Sequence, residues 1–156
     1  SPQGTGLAVD TVIMSETVMP NQIVLIEQPP NKAQLLNDLA VRAGTIMGLD
    51  AHELVTGLWR REELGSTGLG GGIAVPHARL PGLNSPFSVL AILHPAIQFD
   101  AIDGEPVDIV FLLLTPDNGE ALRALANVSR LLRKPDLVAA LRGAKSAAAA
   151  FEILEP

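Results

Sequence analysis

The chain predicts an α/β fold in which a sheet of mixed parallel and antiparallel strands is sandwiched between helical layers, an α/β/α sandwich. Three observations carry this. Stretches of helical periodicity stand before, between and after strand-like runs, so helices must cover both faces of a sheet. The run Val107 to Leu114 (VDIVFLLL) is nearly all apolar, as in a central strand buried on both sides. Just before it, Asp103-Gly104 favours a tight hairpin turn because glycine tolerates positive φ, and this sets antiparallel pairing with the segment that precedes.

Taken in order, residues 1–21 mix Gly, Pro, Thr and Ser without a sustained period and read as an N-terminal tail, leaving 22–156 as the single folded domain. Gln22 to Gln28 (QIVLIEQ) is a first strand, stopped by Pro29-Pro30. Asn31 then caps a helix whose apolar stripe is Leu35, Leu36, Leu39, Ala40, Ala43, Ile46 and Met47, ending near Gly48. Asp50 caps a second helix with Leu54, Val55 and Leu58 inward and Arg60, Arg61, Glu62 and Glu63 in its last turns. The two arginines suit the negative end of the helix dipole.

Ile73 to Val75 and Phe87 to Leu93 are further strands, separated by the turn-rich Pro81 to Pro86; Ile97 to Phe99 leads into the hairpin. From Asn118 the period is helical again, with Leu122, Leu125, Ala126, Ser129 and Leu132 inward and Arg123, Asn127, Arg130 and Lys134 outward. Pro135 breaks that helix and opens the next, which buries Leu137, Val138 and Leu141, and Ser146 caps a last one, Ala147 to Leu154.

Composition excludes several functions. With 156 residues, 47% hydrophobic and 18% charged, the chain can build one core that buries roughly 70% of its unfolded surface. It has no cysteine, so thiolate catalysis, Cys-ligated zinc and disulfides are out. A net charge of −6 opposes binding to nucleic acid or anionic lipid. No apolar run approaches the ~20 residues of a membrane helix, so no direct membrane insertion is expected and a cytoplasmic location is. Asp100, Asp103, Glu105 and Asp108 read as hairpin solvation and not as a metal site, His52 as a surface residue, and His94 as a strand-end residue without a partner.

The stretch Glu63 to Arg79 concentrates the chemistry. Gly68, Gly70, Gly71 and Gly72 allow backbone N–H groups to converge as an anion cradle, with Ser66 and Thr67 adding hydroxyl donors. No Gly-Lys-Ser/Thr follows, and no helix pattern, so nucleotide binding is disfavoured. The short apolar segment after the glycines ends at Pro76, and His77 follows. A neutral imidazole is nucleophilic near neutral pH, which suits reversible phosphoryl transfer if a carbonyl or carboxylate accepts the proton of the other ring nitrogen. Arg61 is the best bidentate partner for the incoming dianion, with Arg79 a second nearby cation.

Arg61-Glu62, Gly65-Ser66-Thr67-Gly68, Gly70 and Gly72-Ile-Ala-Val-Pro76-His77 together resemble the phosphorylation-site motif of the fructose/mannitol type of enzyme IIA in the bacterial phosphoenolpyruvate-dependent phosphotransferase system. The run Ile97 to Asp108 (IQFDAIDGEPVD) resembles its nitrogen-regulatory branch, and the similarity extends from about Gln22 to Leu154. The resemblance implies a five-stranded mixed sheet and His77 as the phosphorylated residue, assisted by Arg61 and the Ser66-Thr67 turn. It implies an HPr-like or NPr-like phosphocarrier as donor, and protein partners such as potassium-transport components or sensor kinases as readers of the phosphorylation state. It implies no metal, nucleotide or other cofactor. Members usually carry a second histidine before a leucine at the start of the helix after the central strand. Here Ala121 precedes Leu122 at the matching place. That departure favours a regulatory binding module of the same fold that is not phosphorylated; a sugar-specific (fructose/mannitol) IIA domain is the other alternative.

Overall fold

In the computed structural model, which describes residues 18–117 and 119–155, a turn of 3-10 helix at Pro20–Gln22 leads into β1 (Ile23–Glu27). Helices α1 (Lys32–Met47) and α2 (Ala51–Glu63) follow, then β2 (Gly68–Gly70), β3 (Ile73–Ala74), β4 (His77–Leu80), β5 (Phe87–Ile97) and β6 (Val107–Pro116). Helices α3 (Glu120–Leu131), α4 (Pro135–Gly143) and α5 (Ala147–Leu154) complete the chain. Most of the expected tail lies outside the described residues, but Val18 is already buried in the core.

The predicted caps are in place. Asn31 accepts a hydrogen bond from the Gln34 amide, Asp50 from that of His52 and Ser146 from that of Ala149. Gly48 ends α1 with φ of 73°, a left-handed conformation open to glycine at little cost.

The sheet is mixed, with six strands in the order β1-β5-β6-β3-β2 and β4 also paired to β6. β1 runs parallel to β5, β5 antiparallel to β6, and both β3 and β4 parallel to β6. β3 and β4 are one strand line interrupted at Pro76. The pairings Ala74 with Val110 and His77 with Leu113 keep a single register, and the Pro76 carbonyl still accepts from the Leu113 amide at 2.9 Å. Proline has no N–H to donate, so the ladder is broken there without a slip.

Antiparallel pairing of β5 with β6 agrees with the sequence, but not by a tight turn. The last paired residues are Ile97 and Val107, and a broad loop joins them. Asp103-Gly104 makes a local turn within that loop, with the Gly104 amide donating to the Ala101 carbonyl. Phe99, which has no exposed surface, plugs the loop into the core.

Strand alternation divides the core in two. Ile109, Phe111 and Leu113 of β6 face α3, α4 and α5, while Val110, Leu112 and Leu114 face α1 and α2. Fully burying each such side chain contributes about 1.5–3 kcal/mol. The α3 stripe differs from expectation. Ala121, Ala124, Asn127, Val128 and Leu131 are buried, whereas Leu122 is 68% exposed. The helix is rotated so that Ala124, Val128 and Leu131 pack into the core and Leu122 faces outward.

Candidate functional site

Helix α2 presses on β4 closely enough that a Cβ on Gly57 would stand 3.3 Å from the Ala78 Cβ. This contact brings the last turn of α2, with Arg60 and Arg61, over the start of β4, where His77 sits half-buried. Two adjoining hollows open here. One of about 380 Å³ is lined by Arg60, Arg61, His77, Arg79, Ala121 and Leu122 among others, and one of about 280 Å³ by Arg61, Ser66, Thr67, His77 and Ile102 among others. His77, Arg61 and Leu125 belong to both.

The imidazole is oriented by its own strand. Nδ1 of His77 lies 2.8 Å from the Val75 carbonyl oxygen. A carbonyl only accepts, so Nδ1 carries the proton and Nε2 keeps its lone pair. Burial lowers the His77 pKa from 6.5, the Arg61 and Arg79 charges add to this, and the Val75 hydrogen bond and the Glu62 charge oppose it. The net effect keeps the ring neutral at neutral pH. Arg61 donates from Nη1 to the Gly65 carbonyl at 2.9 Å, which braces the guanidinium and uses only part of its fork of donors.

The expected anion cradle does not form against His77. Gly70, Gly71 and Gly72, with φ of 92°, 65° and 84°, make the turn between β2 and β3, and Gly70 and Gly71 line a separate hollow with Arg133 and Arg142. The Gly71 amide donates to Asp103 at 3.0 Å, and the Gly71 carbonyl accepts from Arg142 at 2.6 Å. Ser66 and Thr67 reach the smaller hollow, yet their hydroxyls are committed. Ser66 donates to the Phe99 carbonyl at 3.1 Å and accepts from the Gly68 amide, while buried Thr67 donates from its hydroxyl to Glu62. The glycines at 70–72 therefore shape a turn, and the cations on the hollows beside His77 are arginines.

Other acidic residues also have partners that spacing did not show. Asp108 pairs with Arg142 at 2.9 Å, and Asp103 accepts from the Gly71 and Glu105 amides, which lowers its pKa. Nδ1 of His94 sits 3.5 Å from Glu27, its neighbour in the β1–β5 register, but makes no hydrogen bond among the described residues, in keeping with a strand-end residue. The largest omission is Lys32 with Glu62. Their heads meet at 2.9 Å, with Glu62 almost fully buried. A signal existed in the sequence, since lysine in a first turn and glutamate in a last turn both oppose the helix dipole.

Comparison with known proteins gives this mixed sheet, with its oriented histidine beside arginines, a family. The family description "Phosphoenolpyruvate-dependent sugar phosphotransferase system, EIIA 2" matches residues 17–156, and the chain belongs to that family. Among its relatives, a nitrogen regulatory protein of Bradyrhizobium diazoefficiens is 38% identical over 143 residues, 90% of this chain and 94% of that one. The crystal structure of nitrogen regulatory protein IIA-Ntr from Neisseria meningitidis superposes with a TM-score of 0.82 at 29% identity, covering 92% of this chain and 99% of that one. These two place the chain in the nitrogen-regulatory branch. The mannitol enzyme IIA of Escherichia coli, solved in complex with phosphorylated enzyme IIB, shares the fold at 18% identity, with a TM-score of 0.73 over 88% of this chain and 96% of that one. Among the described residues no helix is long and apolar enough to cross a membrane.

Proposed function

We propose that the protein accepts a phosphoryl group on Nε2 of His77 from the phosphohistidine of an HPr-like or NPr-like phosphocarrier, and that protein partners in the cytoplasm read the resulting state. The observation that carries this is the Nδ1 contact with Val75, which frees Nε2 in a hollow shared with Arg61. The Nε2 lone pair attacks phosphorus, the N–P bond of the donor breaks, and its electron pair returns to the donor imidazole. Charge on the equatorial oxygens is met by the unused donors of Arg61, with Arg79 on the same rim. The hydroxyl protons of Ser66 and Thr67 are already given to Phe99 and Glu62, and Gly70 and Gly71 line a different hollow, so the arginines take the larger share of the charge.

Protein partners, rather than a small substrate, suit the surroundings. Leu64, Leu122 and Ile102 are 84%, 68% and 90% exposed around the hollows, an apolar rim of the kind that packs against another protein. The mannitol enzyme IIA engages enzyme IIB, a protein, on the same fold. The readers of this protein's state belong to the class the family resemblance implies, potassium-transport components or sensor kinases.

Incubation with phosphoenolpyruvate and the upstream phosphocarriers tests the reading. Wild-type protein gains an acid-labile, base-stable label and His77→Ala gains none. An unlabelled wild type overturns it. A regulatory module that is never phosphorylated is favoured by one observation, the methyl group of Ala121 in the larger hollow where relatives usually place a second imidazole. That reading expects the same captured partners from wild type, His77→Ala and His77→Asp.

A further inference from the structure

The buried pair Lys32–Glu62 stands where elementary electrostatics disfavours it. Lys32 is the first residue of α1, at the positive end of that helix, and Glu62 lies in the last turn of α2, at a negative end. Glu62 is 6% exposed overall, and taking such a pair out of water brings little net stability. Two local rules broken by residues that meet each other mark a constraint imposed from elsewhere.

The contacts show where the constraint leads. Lys32 is held on three sides, by Glu62 at 2.9 Å, by the Phe99 carbonyl at 3.0 Å and by the Phe99 ring, whose centroid is 4.6 Å away. Both carboxylate oxygens of Glu62 then engage Thr67, one accepting from its hydroxyl and the other from its amide at 3.4 Å. The Thr67 carbonyl accepts from the Val75 amide at 3.0 Å. The Val75 carbonyl accepts from Nδ1–H of His77. A continuous series of polar contacts thus runs from the start of α1 to the imidazole, and Pro76 stiffens its last step by fixing φ next to the ring.

We propose that Lys32, Glu62 and Thr67 are positioning residues that hold Val75 so that its carbonyl selects the Nδ1–H tautomer of His77. The consequence for phosphoryl transfer rests on the function proposed above, whereas the tautomer itself does not. If Thr67 no longer anchors the strand line, Val75 can tilt, its carbonyl leaves the plane of the ring, and the proton redistributes to Nε2. A ring protonated at Nε2 cannot attack.

The experiment reads the tautomer directly, from long-range nitrogen–proton correlations of His77 above its pKa. The variants are Glu62→Gln, which keeps shape and removes charge, and Thr67→Val, which keeps volume and removes the hydroxyl. Wild type is expected to hold the Nδ1–H form alone, and each folded variant to show both tautomers with roughly tenfold slower labelling at unchanged KM for the donor. Thr67→Ser restores the wild-type spectrum. Should Glu62→Gln not fold, Thr67→Val carries the same reading, since it deletes one hydrogen bond and no volume. A folded Thr67→Val with the wild-type tautomer overturns the proposal. Failure of the phosphoryl reading would show instead as an unlabelled wild type, with the tautomer shift intact.

Discussion

Nδ1 of His77 and the carbonyl oxygen of Val75 lie 2.8 Å apart, across a proline that interrupts the strand line without changing its register. Pro76 has no amide proton, and the chain turns the next side chain back onto the preceding carbonyl. The imidazole is oriented by its own backbone and not by a remote carboxylate.

The pH dependence follows from burial. The His77 pKa is lowered from 6.5, mainly by desolvation. At pH values between the folded and unfolded pKa the unfolded chain binds more protons, so this contribution to stability is complete above 6.5 and lost as pH falls through the folded value. An NMR titration of the His77 ring should give a midpoint below 6.5, and labelling should stay flat as pH falls to that value. A midpoint above it would contradict the account.

Arg61 should matter for transfer far more than for folding. Among the described residues its side chain donates to the Gly65 carbonyl near the surface. Removing the guanidinium by Arg61→Ala forfeits charge-assisted contacts worth about 1.5–3 kcal/mol to the transferring group, a loss of roughly 10- to 100-fold in labelling rate. Arg61→Lys should recover part of this, because an ammonium cannot reproduce the two-pronged geometry. Single-turnover labelling distinguishes the three proteins.

Leu122 and Leu64 should act on the partner. Both stand exposed on the rim of the larger hollow. Leu122→Ser and Leu64→Ser are expected to change unfolding free energy by no more than about 0.5 kcal/mol. Each should raise the KM for the phosphocarrier about tenfold with kcat near wild type. Urea denaturation and steady-state labelling separate the two effects.

Gly72 should be sensitive for a structural reason. Its φ is +84°, and an added Cβ would stand 2.5 Å from Nη2 of Arg142 and 3.0 Å from Oδ1 of Asp108. Gly72→Ala therefore strains the backbone and pushes on the Arg142–Asp108 pair, at a cost of about 1–3 kcal/mol. A fall in thermal midpoint with normal labelling is the expected result. A lost label without destabilisation would place the glycine turn in the transfer step.

Much of the fold was legible because local chemistry decides it. Asn31, Asp50 and Ser146 announce their helices as hydrogen-bond acceptors for free amides, and each does so in the structure. The uniform apolarity of Val107 to Leu114 marks a strand covered on both faces, and β6 is the centre of the sheet. The α3 stripe was not legible in the same way. Leucines at 122 and 125 look like core by periodicity, but the helix packs with Ala124, Val128 and Leu131 inward and turns Leu122 outward, a rotation set by packing and not by spacing.

The site divides along the same line. That His77 follows an apolar strand and a proline, with Arg61 shortly before, is written in the chain, and so is the family motif. What the glycines do is not. A run of residues able to take positive φ permits either an anion cradle or a tight turn, and only the pairing of β2 with β3 and the approach of Asp103 and Arg142 choose the turn. The sequence by itself determined most of the elements, the caps at Asn31, Asp50 and Ser146 and the placing of a histidine just after a proline-ended apolar strand, because these depend on neighbours within a few residues. The tertiary structure alone decided the Lys32–Glu62–Thr67 support of Val75 and the exposed rim, because each depends on groups brought together from distant parts of the chain.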